Sequence, residues 1–279
     1  QLGGKWISWI NKYAVIFIFN HFEKLNWNYG IIILILTVFL KLLLFPLAYT
    51  SYMSTAKMRV VKPEIEEINK RYPDQKDAMK KQQAIMAMYK QLGIRPMAGC
   101  LPVLLQLPIL FAMFRFFPSA YELRQQAFLW ADDLSSYDSI LDLPFNIPFY
   151  GDHVSLFTLL MTAATLTYTI LNNKMMSSAG NAQQMKAMKW MMYLMPIMFL
   201  GIFNNYSSGL SYYYFLVNII TFIQMGIFRL AINEEKLRTK VLASKAKPVK
   251  KSRWQQKMED MVKKQQAAQR NLANQRKKR

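Results

Sequence analysis

The sequence predicts an all-α integral membrane protein in which five transmembrane helices surround a cytosol-open hydrophilic groove. Of its 279 residues 53% are hydrophobic, yet the formal net charge is +20. That combination is typical of membrane proteins whose basic residues lie in loops and tails. Five apolar stretches approach the length of a spanning helix, and the segments between them alternate between basic and acidic.

The five predicted spans form the core of the chain, residues 30–232. A bilayer core requires about 20 apolar residues in a helix. The spans are predicted at 30–50, 100–117, 154–172, 189–203 and 209–231. The fourth span is short and contains Pro196, so we expect the bilayer to be thinner beside it.

The charges of the connecting segments predict the orientation of the spans. Residues 51–99 contain ten Lys or Arg and residues 233–279 contain sixteen, whereas the loop 118–153 contains six acidic residues and one Arg. Because basic segments stay in the cytoplasm, we expect 51–99 and the C-terminus to be cytoplasmic, and the loop 118–153 and the N-terminus to lie outside. An outside N-terminus without a secretory signal also leads us to expect an upstream signal or anchor segment.

The N-terminal segment, residues 1–29, mixes aromatic side chains with lysines. Its uninterrupted apolar run, residues 14–19, is too short to cross a membrane. We expect an amphipathic helix that lies in the outer membrane interface. The alternative is an ordinary packing helix of an outer domain that this sequence lacks.

Residues 51–99 predict a cytoplasmic hairpin of two helices, because apolar residues follow helical spacing in two stripes on either side of the sequence YPDQ. The first stripe comprises Met58, Val61, Ile65, Ile68 and Tyr72, and the second Ala78, Ile85, Tyr89 and Leu92. We expect the hairpin to be mobile relative to the spans, since Pro63 and Pro96 join it to them and its outer faces are charged. A solvated connector without a function of its own is the alternative.

The basic tail, residues 233–279, contains sixteen Lys or Arg against four acidic residues. Such a tail either contacts anionic lipids or binds the RNA backbone of a ribosome, and the sequence leaves both possibilities open. Its composition predicts a segment without stable structure.

Several classes of activity are excluded by missing residues. Cys100 is the only cysteine, so the chain forms no internal disulfide and no thiolate metal cluster. The sequence has no Walker-type phosphate loop, dinucleotide fingerprint or nucleophile elbow. We therefore expect no enzymatic activity, no cofactor and no metal.

Lys41 is the observation that points to a function. It lies inside the apolar sequence LILTVFLKLLLFPL, where a charge costs roughly 2.5–3.5 kcal/mol on insertion scales. The five predicted spans contain no Asp or Glu that could pair with it. We therefore expect a water-containing cavity that reaches Lys41 from the cytoplasmic side. Uncharged polar residues that could line it, or could simply join helices, are Thr37, Gln106, Asn172, Asn173, Tyr212, Tyr213, Tyr214 and Asn218.

Four motifs resemble the YidC membrane protein insertase family: KLLLFPL, STAKMR, GCLPVLLQLPI and SSGLSYYYFLVN. The resemblance covers nearly the whole chain and implies a groove that is open to cytosol and lipid but closed outside. Lys41 stands at the position of the family's groove cation, which is typically an arginine. The other groove positions that the resemblance implies are Thr37, Gln106, Asn173, Tyr213 and Tyr214, and we add Asn218 as a further polar residue of the fifth span.

The same resemblance implies a membrane protein insertase and chaperone of the bacterial inner membrane, working without ATP. Its partners would be nascent membrane proteins, the ribosome and the Sec translocon, and Gram-negative members carry a further span and a periplasmic domain before this core. The alternatives are a small-solute transporter or anion channel that uses Lys41 as its selectivity charge, and a passive ribosome tether. The absence of inverted repeats and intramembrane carboxylates argues against a transporter.

Overall fold

Helices form most of the structure, a computed structural model that describes residues 15–23, 27–74, 77–95, 101–176 and 182–243. Its helices, in chain order, are α1 (Ile16–Glu23), α2 (Tyr29–Leu43), α3 (Phe45–Val60), α4 (Lys62–Arg71), α5 (Ala78–Gln91), α6 (Leu101–Ser119), α7 (Leu156–Met176), α8 (Ala182–Asn204), α9 (Ser208–Ala231) and α10 (Glu234–Ala243). A short 3₁₀ turn, Tyr121–Leu123, follows α6.

Two antiparallel strands lie in the loop between α6 and α7, so the prediction of an all-α fold is wrong there. The strands are β1 (Leu141–Ile147) and β2 (Gly151–Val154), and their register shifts between Asp142 and Ile147. We call residues 141–154 the β ribbon. The sequence of β1 alternates apolar residues with polar residues or proline, at the period of two that favours a strand.

The first predicted span, 30–50, is divided into two helices. The helix α2 ends at Leu43, and α3 begins at Phe45 at an angle of 59° to it. Pro46 occupies the first turn of α3, where its missing N–H removes a hydrogen bond that a continuous helix would need. The second helix then continues to Val60, beyond the predicted end of the span.

Length and apolar composition identify α9 as able to cross a membrane within the described part of the chain, and the bent pair α2–α3 also qualifies if it forms one span. Shorter apolar stretches occur at Leu156–Asn172 in α7 and at Trp190–Asn204 in α8. Helices cover all five predicted spans, but the crossing of the membrane by all five remains a prediction.

The main hydrophobic core lies at the end of the helix bundle that carries the β ribbon, which we call the ribbon end. It contains the residues of α6 and α9 nearest that end, including Phe117 and Tyr213, whose ring centroids are 6.0 Å apart. The rings of Phe114 and Tyr206 stack at 4.3 Å. Aromatic packing is therefore concentrated near the ribbon end of the bundle.

A buried carboxylate fixes the start of α7 at the same end. Asp138 accepts hydrogen bonds from the backbone N–H groups of Leu156 and Phe157, at 2.9 and 3.1 Å. It also accepts bonds from the indole of Trp130, at 2.9 Å, and from the hydroxyl of Ser155. These donors satisfy the carboxylate and cap the helix.

The helices α4 and α5 pack against each other as the hairpin that the sequence predicts. Both apolar stripes contribute to one buried cluster, in which Val61 and Ile65 are fully buried and Ile85 and Tyr89 nearly so. We call this group the hairpin cluster, and the end of the bundle beside it the hairpin end.

The helix α10 also packs into the hairpin cluster, through Leu237 and Val241. Two ion pairs flank this contact, Arg59–Glu234 at 2.8 Å and Arg238–Glu64 at 2.9 Å. The prediction of a tail without structure is therefore wrong for Glu234–Ala243, because two apolar residues at helical spacing give this segment a docking face. Residues 244–279 lie outside the described part.

Of the N-terminal segment, the structure describes residues 15–23 and 27–29. Val15 and Phe19 are buried in the main core, and the ring of Phe19 lies 4.9 Å from that of Phe116. This part of the segment therefore packs against the helices of the chain itself. Residues 1–14 lie outside the described part, so the interfacial location remains a prediction.

Candidate functional site

A cavity of about 380 Å³ lies among the helices α2, α3, α6, α7, α8 and α9. It extends toward the hairpin end, since Ser51, Tyr52 and Thr55 of α3 line one side of it. The aromatic core at the ribbon end lies on the opposite side. The cavity thus lies between the main core and the hairpin end of the bundle.

Lys41 lines this cavity and has a hydroxyl group as its partner. Its ammonium Nζ donates a hydrogen bond of 2.7 Å to Oγ1 of Thr221 on α9. Thr221 in turn donates to the backbone oxygen of Val217, at 2.6 Å. An ammonium group has three N–H donors, and this bond uses one of them.

The described residues that line the cavity include no Asp or Glu. The positive charge of Lys41 therefore has no opposite charge within the cavity wall. A partly buried cation without a carboxylate partner attracts an anionic group more strongly than it would in water, because the surrounding protein screens the charge less.

Uncharged polar groups extend the polar surface beyond Lys41. Asn218 donates to the hydroxyl of Thr165 at 2.9 Å, and both residues line the cavity. The hydroxyl groups of Thr162 and Tyr214 have no hydrogen-bond partner among the described residues. Both residues also line the cavity.

Two helices, α6 and α8, form part of the apolar wall. Leu107 and Leu110 contribute from α6, and Met195, Pro196 and Phe199 from α8. Away from the cavity, these two helices carry exposed apolar side chains such as Phe111 and Met198. The cavity is thus bounded on this side by two helices whose outer surfaces suit contact with lipid.

The structure brings together four of the seven residues predicted for the groove: Lys41, Gln106, Tyr214 and Asn218 line the cavity. The other three do not contribute a described side chain to its wall. Thr37 is fully buried and donates to the backbone oxygen of Ile33 at 2.7 Å. Tyr213 is almost fully buried in the main core. The side chain of Asn173 lies outside the described residues.

Sequence reasoning missed Thr162, Thr165 and Thr221. A usable signal existed for Thr221, since it follows Tyr214 and Asn218 by seven and three positions and therefore shares their helical face. Its partner Lys41 is 180 residues away in the sequence. No local pattern could predict that pairing.

Together, the fold and this site define a mostly helical membrane protein with a cation in a cavity between its helices. The family model described as 60Kd inner membrane protein matches residues 20–236. The chain therefore belongs to the 60Kd inner membrane protein, or YidC, family, whose members are proteins of the bacterial inner membrane.

Curated relatives extend this similarity over nearly the full chain, and each is named membrane protein insertase YidC. The relative from Parabacteroides distasonis is 51% identical over 282 residues, which cover 100% of this chain and 44% of the relative. One from Bacteroides fragilis is 51% identical over 278 residues, covering 98% and 44%. One from Amoebophilus asiaticus is 47% identical over 264 residues, covering 94% and 43%. The chain spans less than half the length of these relatives.

Proposed function

We propose that this chain is the core of a membrane protein insertase, in which the cavity around Lys41 receives the polar segment of a nascent membrane protein. The single observation that carries the proposal is the ammonium group of Lys41, which lines a cavity with a threonine hydroxyl as its partner. The family membership, and the name that the curated relatives carry, agree with this function.

The proposed mechanism is electrostatic attraction followed by partitioning. A polar, acidic segment of the substrate enters the cavity from the hairpin end, which faces the cytosol in the predicted orientation. Lys41 attracts it toward the middle of the membrane. An adjacent apolar segment then leaves between α6 and α8 into lipid, and its burial supplies the driving force without ATP.

The chaperone role and the proposed partners follow from the same arrangement. The apolar surfaces of α6 and α8 would shield an incoming span while it folds. The basic tail, residues 233–279, is proposed to bind ribosomal RNA or anionic lipid through its excess of positive charge. Cooperation with the Sec translocon belongs to the proposal because it is implied by the family resemblance.

The test is insertion into proteoliposomes of substrates whose translocated tails differ only in net charge. Two unit charges about 8 Å apart attract by about 2 kcal/mol at an effective dielectric constant of about 20, which corresponds to roughly 30-fold in rate. Lys41→Arg should retain insertion of acidic tails, Lys41→Ala should decrease it by about tenfold or more, and Lys41→Glu should decrease it most. Neutral tails should tolerate all three substitutions.

The matched control is Lys62→Glu, which reverses the charge of an exposed lysine in α4. It should insert acidic tails as wild type does. If Lys41→Glu also inserts acidic tails at the wild-type rate, the lysine has a structural role and the attraction model is wrong.

A further inference from the structure

We propose that the β ribbon is a lipid-contacting element, which inserts apolar side chains into the membrane interface beside the end of α8. This inference rests on the placement of α8 across the membrane and does not depend on insertase activity.

The first observation is the exposed apolar surface of β1. Leu141, Leu143, Phe145 and Ile147 alternate with polar residues or proline, a pattern typical of a strand with one apolar face. Phe145 is 60% exposed and Leu141 57% exposed. A soluble two-stranded ribbon would normally cover such a face or lack it.

The second observation is the turn between the strands, which projects one aromatic ring. Phe149 has a φ of 67°, in the left-handed region that non-glycine residues rarely adopt. Its side chain is 98% exposed. The ring therefore makes no contact within the described structure that would explain why the backbone is held in this conformation.

The third observation is that the turn is fastened to the end of α8. The side-chain amides of Asn204 and Asn205 donate to the backbone oxygen of Tyr150, at 3.0 and 2.6 Å. Gly201 permits this approach, because a Cβ atom there would lie 2.5 Å from the backbone oxygen of Phe149. These contacts fix the turn at a defined height on the helix.

The surface of α8 next to this contact is itself apolar and exposed, through Ile197, Met198 and Ile202. Phe149 thus continues an apolar helix surface at the point where the helix ends. In membrane proteins this is where aromatic side chains gather at the lipid–water boundary. This continuity favours lipid as the occupant over a second protein.

The nearby charges favour contact with the apolar part of the interface rather than with anionic headgroups. Asp142 and Asp152 are both exposed on the ribbon and would repel an anionic lipid. Insertion of the ribbon should therefore depend little on salt or on the content of anionic lipid.

The experiment measures the depth of spin labels on single cysteines in proteoliposomes of phosphatidylcholine and phosphatidylethanolamine. The background is the full chain with Cys100→Ser, since Cys100 is the only native cysteine. Labels at Phe145→Cys and Phe149→Cys should be severalfold more accessible to oxygen, relative to a water-soluble nickel chelate, than labels at the controls Asn146→Cys and Asp152→Cys. Equal accessibility at all four positions would overturn the proposal. Labels at 145 and 149 that neither reagent reaches would also overturn it, because they would indicate a protein contact.

A second variant tests the fastening of the turn. Gly201→Ala should displace the turn and lower the ratio of oxygen to nickel accessibility at residue 149. Gly226→Ala in α9 is the matched control, since a Cβ there meets nothing within 4 Å, and it should leave that ratio unchanged. An unchanged ratio in Gly201→Ala would show that the contact between the turn and α8 does not set the depth of the Phe149 ring.

Discussion

Leu237→Ala tests whether α10 holds the hairpin to the rest of the chain. Leu237 is 9% exposed in the hairpin cluster, and truncating a buried leucine to alanine destabilises by about 2–5 kcal/mol. We take the lower end, about 2 kcal/mol, because the site lies at the edge of the cluster. The two ion pairs beside it have partly exposed partners, and each contributes less than about 1 kcal/mol.

The helix α10 has ten residues, and isolated helices of this length are marginal in water. Its amide protons should therefore be protected from exchange only while it is docked. A loss of about 2 kcal/mol in docking corresponds to roughly 30-fold faster hydrogen exchange. Hydrogen exchange with mass spectrometry, on the protein in nanodiscs, measures this directly in peptides covering Glu234–Ala243.

The matched control is Leu230→Ala, which truncates a leucine that is 90% exposed at the end of α9. It should not change the exchange of α10. If α10 already exchanges at the rate of an unfolded peptide in wild type, or if both variants behave alike, the docking contact has no measurable stability. The hairpin would then be expected to move without restraint from α10.

Two further predictions concern buried polar groups. Asp138→Asn replaces a charged acceptor of several hydrogen bonds and should lower the free energy of unfolding by about 3 kcal/mol. This loss corresponds to roughly 6–12 °C in the midpoint of thermal unfolding in detergent, whereas Asp132→Asn, at an exposed site, should change that midpoint little. A midpoint unchanged by Asp138→Asn would contradict the capping role. Burial raises the pKa of Tyr89 to about 12, so its contribution to stability is complete below pH 10 and is lost as the pH rises toward 12. Tyr89→Phe should remove this loss of stability between pH 10 and 11.5, as measured by thermal unfolding. The control Tyr121→Phe, at a 77% exposed site, should not remove it. Parallel pH profiles for wild type and Tyr89→Phe would refute the assignment of this pH dependence to Tyr89.

Periodic features of the sequence predicted the hairpin well. Val61 and Ile65 follow helical spacing, as do Ile85 and Tyr89, and all four are buried together. Burial of an apolar stripe is the main force that fixes such a helix pair, so a local pattern was sufficient. The helical spacing of Leu237 and Val241 could likewise have predicted a docked helix, but the strongly basic composition of the tail led to the prediction of a segment without structure.

The candidate site was predicted in part, for a physical reason. A charge in an apolar stretch is visible in the sequence, and Lys41 does line a cavity. The partner of that charge depends on how α2 and α9 pack, which no local pattern encodes. Thr37 shares a helical face with Lys41, yet its hydroxyl satisfies a backbone oxygen within its own helix. A polar residue on the right face can therefore be used locally rather than in the cavity.

The β ribbon was missed because Pro144 and Pro148 interrupt a short apolar alternation. Proline cannot donate to a strand ladder and argues against a central strand. The ribbon has only two strands, and the prolines fall in and beside an irregular stretch of pairing. The interrupted alternation of apolar residues is compatible with an edge strand, but it is too short to predict one.

The helix α3 joins two regions that have so far been described separately. On one side Ala48, Ser51 and Thr55 line the cavity, and near its far end Ala56 and Val60 belong to the hairpin cluster. Its 16 residues make a helix about 24 Å long, which begins at the bend after Leu43. A rotation of α3 by about 10° about this bend would move its far end by about 4 Å. If the hairpin moves as the sequence predicts, α3 would carry that movement to the cavity wall, and the width of the cavity would change with the position of the hairpin.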